Sequence, residues 1–152
     1  MKLIPVGKHH FAKVDDADFE LASQHTWYYH TKGKHEYART FKQKNRIRKY
    51  NCLHNLILGL KWVDHIDGDG LNCQRYNLRP CTPLENARNS RRRSDNTSGF
   101  KGVLKAWGSR WKAFIYLDGQ YNHLGCFDTA KSAHAAYIEA ARKLFGEFAC
   151  GG

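Results

Sequence analysis

The sequence predicts an α+β chain built as two small domains, and three observations carry that prediction. Apolar and polar residues alternate through several short stretches near the start, the period of half-buried strands. Residues 86–99, "NARNSRRRSDNTSG", are polar and basic without apolar periodicity, which marks a break between globular parts. Beyond the break, three strand-like runs precede one long helical run, a pattern expected to pack an antiparallel sheet on a single helix. The expected division is a first domain over 1–89, a basic linker over 90–97 and a second domain over 98–149. A chain of 152 residues suffices for two such cores, each of modest size.

In chain order, "HFAKV" (10–14), "TWYYH" (26–30) and "HEYARTF" (35–41) are expected to be strands, separated by polar turns such as Lys32-Gly33-Lys34. Between the first two, residues 15–25 set Phe19, Leu21 and Ala22 behind Asp15 and Asp16, which suits a short helix with acidic residues in its first turn. Trp27, Tyr28 and Tyr29 serve either as core fillers, the commoner role of strand aromatics, or as a stacking platform for bases. Residues 51–60, "NCLHNLILGL", repeat Leu53, Leu56, Ile57 and Leu60 at helical spacing and place Gly59 near the end, predicting a short core helix. In the second domain, "FKGVLKAW", "RWKAFIYL" and "QYNHLGCF" predict three strands, the first two joined through Gly108-Ser109 and the last two through the hairpin signal Asp118-Gly119. A helix follows, with Thr129 at its N-cap, Gly146 at its end, and Ala133, Ala136, Tyr137, Ala140, Ala141 and Leu144 on one face.

Lysine and arginine number 25 against 14 acidic residues, giving a net charge of +11, so a polyanion is the expected partner. An apolar run of about 18 residues is absent, as is a basic helix with a large apolar face, which argues against a membrane. The opening "MKLIPVGKHHF" has too short an apolar part for a secretory signal, and an intracellular protein is expected. Five cysteines, at 52, 73, 81, 126 and 150, include no CxxC pair. Neither a disulfide framework nor a structural zinc is expected from that spacing, and Cys52, Cys73 and Cys81 read as small buried fillers.

Residues 62–89, "WVDHIDGDGLNCQRYNLRPCTPLENARN", carry the chemistry. A calcium loop fails: with Gly70 at its sixth position, the first position falls on His65 and the twelfth on Tyr76. The pattern is instead strand, loop, strand, helix, with Gly68 and Gly70 marking a tight excursion and Thr82 and Pro83 opening the helix. Such a unit aims Asp64 and His65 from the first strand and Asn86 from the helix at one point. A neutral imidazole takes a proton from water near pH 7, while carboxylate and amide oxygens suit a hard cation.

This stretch resembles the HNH, or ββα-metal, nuclease motif in the His-Asn-Asn variant of phage and intron-encoded homing endonucleases. The resemblance implies His65 as general base, Asp64 as a metal ligand, Asn77 of the second strand as the residue that holds the loop and orients the base, and Asn86 as the second ligand of one Mg²⁺ or Mn²⁺. Asn89, one helical turn further on, is the rival to Asn86. Upstream, "LHNLILG" resembles the "HRLI" segment that precedes the motif, making His54 a candidate to line the site; the alternative is a hydrogen-bonded core histidine. The products implied are 5′-phosphate and 3′-hydroxyl ends.

Residues 98–146 resemble an AP2 DNA-binding domain through Gly102-Val103, Trp111–Ala113, Leu124-Gly125 with Phe127, Ala135–Tyr137 and Ala140-Ala141. The resemblance implies a sheet laid in the DNA major groove. Leu104 stands where that family usually has arginine and His123 where it usually has tryptophan, so the plant target sequence does not carry over. The residues themselves point the same way: Lys101, Lys105, Arg110, Lys112, Tyr116, Tyr121 and His123 crowd the strands, and Arg91, Arg92 and Arg93 can track phosphates from the linker. In "RWKAFIYL", alternation puts Arg110, Lys112, Phe114 and Tyr116 on one face and the apolar Trp111, Ala113, Ile115 and Leu117 on the other, toward the helix.

The function expected is therefore a metal-dependent endonuclease of homing type acting on double-stranded DNA, as a monomer or weak homodimer, in the cytoplasm of a bacterial host if it is phage- or intron-encoded. The alternatives are a regulator that binds DNA through the AP2-like domain without cutting it, and an RNA-binding accessory protein, which would need exposed aromatics for stacking on unpaired bases.

Overall fold

The structure, a computed structural model, describes residues 1–33, 35–44, 47–90 and 95–151, and of these the side chains of 42–44 and 47–49 are left undescribed. The chain is α+β and divides into two compact units, Met1–Pro83 and Leu84–Gly152.

The first unit opens with an antiparallel pair, β1 (Lys2–Val6) and β2 (His10–Val14), turned through Gly7 at φ 65°. Ile4, Val6, Ala12 and Val14 point inward on the strand period and are buried. A 3-10 turn at Asp16–Asp18 leads into α1 (Phe19–Ser23), so the expected short helix forms in two pieces. Next come β3 (Tyr28–Lys32), β4 (His35–Lys44) and β5 (Ile47–Cys52), an antiparallel sheet in that order. The strand expected over 26–30 begins at Tyr28 instead, because Trp27 turns into the core and donates its Nε1–H to the Ala22 carbonyl at 2.9 Å. Tyr29 stacks on His10 at 3.7 Å between ring centroids, while Tyr28 stays exposed.

Helix α2 (Leu53–Leu58) buries Leu53, His54 and Ile57 and ends at Gly59 in the left-handed conformation, φ 68°. Leu60, expected on the apolar face, lies past this stop and is exposed. The pair β6 (Val63–His65) and β7 (Leu78–Pro80) follows, antiparallel with His65 opposite Leu78. The loop between them is tied to β2: the Lys13 amide donates to the Leu71 carbonyl and the Cys73 amide to the Lys13 carbonyl, at 2.8 and 2.9 Å. Asn77 ends a 3-10 turn, Arg75–Asn77, immediately before β7 rather than within the strand, because its side chain is spent on the loop.

Gly68 and Gly70 differ in purpose. Gly68 takes φ 71°, as expected for the excursion, but Gly70 is not in the left-handed region. A Cβ there would meet the Glu36 carbonyl oxygen at 2.0 Å, so Gly70 answers to the close approach of β4 and not to a turn.

Helix α3 (Pro83–Arg88) straddles the division between the units, with all but Pro83 in the second. Its end is fastened within that unit: the Arg88 guanidinium lies over the Phe145 ring at 4.7 Å, and Lys101 Nζ donates to the carbonyls of Arg88 and Ser90. The sheet β8 (Val103–Lys105), β9 (Trp111–Leu117) and β10 (Gln120–Phe127) is antiparallel in the order β10-β9-β8. The first strand is shorter than "FKGVLKAW" suggests because Gly102, at φ 71°, breaks it from the preceding turn. Asp118 and Gly119, at φ 50° and 80°, make the β9–β10 turn.

Helix α4 (Ala130–Phe145) covers one sheet face with Ala133, Tyr137 and Ala141 buried. Thr129 Oγ1 accepts from the Ser132 amide at 3.0 Å, and Gly146 follows the last turn. Leu144, expected on the buried face, is exposed; Phe145 packs into the core instead. Ala113 and Ile115 of β9 meet the helix as the alternation predicts, which leaves Lys112, Phe114 and Tyr116 on the other face. No helix among the described residues is long and apolar enough to cross a membrane.

Candidate functional site

Asp64 and His65 are adjacent on β6, and both side chains are buried. Burying a carboxylate is costly unless it is paired. Arg79, opposite Asp64 in the β-pair, answers this by bringing Nη2 and Nε to Asp64 Oδ2 at 2.7 and 3.0 Å. The orientation of Asp64 is thereby set by its own hairpin partner.

The loop after His65 is held from inside. Asp67 accepts from Asn72 Nδ2 at 2.8 Å and from Asn77 Nδ2 at 2.9 Å, while Asn77 Oδ1 accepts from the Asp67 amide at 3.0 Å. Asn77 Nδ2 also reaches the Asn72 carbonyl, and its own carbonyl takes the Ile66 amide at 2.9 Å. Burial opposes ionisation of Asp67, but the hydrogen bonds from Asn72, the Asp69 amide and Asn77 outweigh it and hold its pKa below the ordinary carboxylate value. Asn77 therefore clamps the turn that carries the backbone of His65.

His65 is 6% exposed, and burial lowers its pKa against the opposing pull of Asp67, Asp64 and Asp69. A neutral imidazole over the working pH range is the form that accepts a proton. His54 packs edge-on against it, ring centroids 4.7 Å apart, and Tyr37 borders both rings. Burial first, and His65 second, pull the His54 pKa down to about 3. His54 thus stands beside His65, and its Nδ1 has no hydrogen-bond partner among the described residues. Cys73 closes the group with Sγ 3.8 Å from His65 Nε2. Spacing gives no hint of this, since His54 and Cys73 are joined only through the fold.

In the first unit His54 packs against His65, Asp64 is the residue before it on β6, and Asn77 holds the loop that follows. Asn86 lies in the second unit, exposed on α3, with Asn89 half-buried just beyond the helix and its amide donating to the Glu85 carbonyl at 3.1 Å. Arg91, Arg92 and Arg93 lie outside the described residues.

On the open sheet face of the second unit, Phe114 stacks with Tyr121 at 5.4 Å, and Tyr116 meets both rings edge-on. A depression beside them is lined by Lys105, Trp107, Lys112, Tyr121 and His123. Arg110 donates to the Cys126 carbonyl at 2.9 Å, with Asp128 beside it at 3.6 Å. Lys101 is not on this face: it sits in the turn before β8, its ammonium is taken by two carbonyls, and burial lowers its pKa. Trp107 escapes a reading of the sequence, where it belongs to a strand-like run, yet it projects from the β8–β9 connection at 97% exposed. The hairpin signal Gly108-Ser109 beside it is the available clue.

No family model and no solved structure matches the chain. Three curated proteins are similar. An uncharacterized HNH endonuclease of Acanthamoeba polyphaga mimivirus is 31% identical over 152 residues, 97% of this chain and 77% of that protein. Protein 3.8 of Escherichia phage T7 is 33% identical over 117 residues, 74% of this chain and 94% of that protein. An AP2/ERF and B3 domain-containing transcription factor of Arabidopsis thaliana is 45% identical over 49 residues, 32% of this chain and 14% of that protein. The likeness to the mimivirus protein covers nearly the whole chain, and on that ground the chain belongs to the HNH endonuclease family.

Proposed function

We propose that the chain is a metal-dependent endonuclease of homing type that cuts phosphodiester bonds in duplex DNA, with the first unit cutting and the AP2-like second unit holding the duplex. The observation that carries this reading is the buried Asp64-His65 pair on a hairpin whose loop Asn77 clamps, with the His65 imidazole kept neutral. In this reading His65 takes a proton from the attacking water, and Asn77 keeps the turn behind His65 from yielding as that charge develops.

Within the first unit, Asp64 would hold the cation. A carboxylate suits a hard ion, which would have to share Asp64 Oδ2 with the Arg79 guanidinium or displace it. A bound Mg²⁺ or Mn²⁺ supplies stabilisation of negative charge at the phosphoryl and leaving oxygens. The sheet face with Lys112, Tyr116, Tyr121 and His123, and Trp107 beside it, combines cationic and aromatic groups suited to a groove, and Lys105 and Arg110 at its margins suit phosphate. The Arg91–Arg93 run is assigned to phosphates on its charge alone.

Incubation with supercoiled plasmid and Mg²⁺ tests the reading. Conversion to open circles, lost on chelation and lost in His65→Ala, is expected. Retarded but uncut plasmid at every metal concentration would overturn it in favour of a binding protein.

A further inference from the structure

The ligand atoms of His54, His65 and Cys73 lie within 4.8 Å of one another, and all three side chains are buried. Two imidazole nitrogens and a sulfur are the donors of borderline-soft transition metals, not of Mg²⁺. A tetrahedral Zn²⁺ with bonds of about 2.3 Å to sulfur and about 2.0 Å to nitrogen spaces those two donors about 3.5 Å apart. Cys73 Sγ and His65 Nε2 are 3.8 Å apart already. The three donors are carried on backbone that packing already fixes, Cys73 through its amide to Lys13 and His54 on α2.

A second observation points to a ligand. His54 is 7% exposed, and its Nδ1 is a buried polar atom with no hydrogen-bond partner among the described residues. Buried polar atoms in that state are uncommon and call for an account, one of which is an ion. The neighbouring thiol lies 3.8 Å from both the Gly70 carbonyl and His65 Nε2 and is also hydrogen-bonded to the His54 backbone.

We propose that His54, His65 and Cys73 form a site for a thiophilic divalent ion, Zn²⁺ foremost, and that filling it takes the His65 imidazole out of proton transfer. On binding, the Cys73 S–H bond breaks, its proton passes to solvent, and the sulfur lone pair joins those of the two imidazoles on the metal, leaving one position for water. The binding step stands on the cluster alone; the inhibitory step rests on His65 being the general base. The same chain would then be switched on by a hard cation and off by a soft one, at sites that share the Asp64-His65 strand.

Co²⁺ serves as the spectroscopic probe, because a thiolate on tetrahedral Co²⁺ absorbs in the near ultraviolet through sulfur-to-metal charge transfer. The full chain should take up one Co²⁺ with that band, Zn²⁺ should displace it, and Zn²⁺ should suppress Mg²⁺-supported plasmid cutting. Cys73→Ser should abolish the band and raise the half-inhibiting Zn²⁺ concentration by at least about 10-fold, the lower end of what even outer-sphere changes cost a metal site. Should that variant not fold, His54→Gln serves, with the charge-transfer band kept and Co²⁺ affinity lowered by a similar factor. Cys126 is the competing thiol, 3.6 Å from His123, so Cys126→Ser must leave the band intact. Absence of the band, or its persistence in Cys73→Ser, overturns the site. Full cutting with Zn²⁺ bound overturns the inhibitory step. A chain that cuts nothing under any metal sinks the nuclease reading, while the cobalt spectrum still decides the site.

Discussion

Replacing His54 with glutamine should make the first unit less sensitive to acid, and the size of the effect follows from the burial of His54. Its pKa falls from 6.5 in the unfolded chain to about 3 in the fold, because burial penalises the charged imidazolium and His65 lies beside it. The folded form therefore binds fewer protons than the unfolded form between those two values. Stability from this group is complete above about pH 6.5 and is lost as pH falls, levelling off only near pH 3. At pH 5 the loss is 1.5 pH units at about 1.4 kcal/mol each, or about 2 kcal/mol, a substantial part of the stability of a small domain. At 7% exposed, His54 leaves little solvent to screen the effect.

Other groups titrate as well. The lowered pKa of His65 acts in the same direction, and the lowered pKa of Asp67 adds a loss at more acid pH. Both remain in the variant, so the difference between the two proteins isolates His54. Urea unfolding at pH 7.5 and pH 5, in chelator, read from the methyl resonances of Leu53 and Ile57, reports the first unit without interference from the second. Wild type should lose about 2 kcal/mol more than His54→Gln between those pH values. Parallel losses in the two proteins would refute the reasoning and mean that imidazolium is tolerated where the structure buries the ring.

Three further outcomes are expected. His65→Ala should lower plasmid cutting by about 10²- to 10⁴-fold while duplex affinity in a gel-shift titration barely moves, and comparable cutting by the variant would remove His65 as the base. Gly102→Ala should destabilise the second unit by on the order of 3 kcal/mol, since Gly102 sits at φ 71° and its new Cβ would stand 2.0 Å from Tyr137 Cδ2; an unchanged thermal midpoint would count against that packing. Arg91, Arg92 and Arg93 changed together to alanine should flatten the plot of log affinity against log salt by about 0.9 for each phosphate the run neutralises, whereas Lys101→Gln should leave the slope alone because its ammonium is already bound to carbonyls.

What is legible in the sequence is what neighbours in the chain decide. Helix α4 can be read almost whole because its cap, its apolar period and its terminating Gly146 all lie within one segment, and the β9–β10 turn because Asp118-Gly119 chooses its own backbone angles. The Asp64-His65 strand and its return are legible for the same reason, although Asn77 falls in the 3-10 turn before the return and not within it. Errors begin where a distant element intervenes. Gly70 looks like a turn residue, but its lack of a side chain answers to a carbonyl of β4 that passes over it. Lys101 looks like one more cation facing a groove, but α3 and Ser90 claim it. Leu144 fits the helical stripe, yet Phe145 takes its place where the helix ends and the chain turns away.

The cluster at His54, His65 and Cys73 belongs to this non-local class, and its chemistry explains why spacing rules pass over it. A metal site made for structure draws its ligands from close pairs so that one turn of chain holds two of them. Here the three come from α2, β6 and the loop that β2 pins, each placed for another purpose: α2 to cover the core with Leu53 and Ile57, β6 to carry the Asp64-His65 pair, and Cys73 to fill the space behind it. A site assembled from parts already fixed by packing is nearly free of ordering cost when an ion arrives. It also has no freedom to spare the residue it shares, and that residue is His65. Competition between a proton-transfer role and a ligand role at one imidazole is therefore a consequence of where the core places Cys73, and it disappears if Cys73 is replaced while the Asp64-His65 hairpin is left untouched.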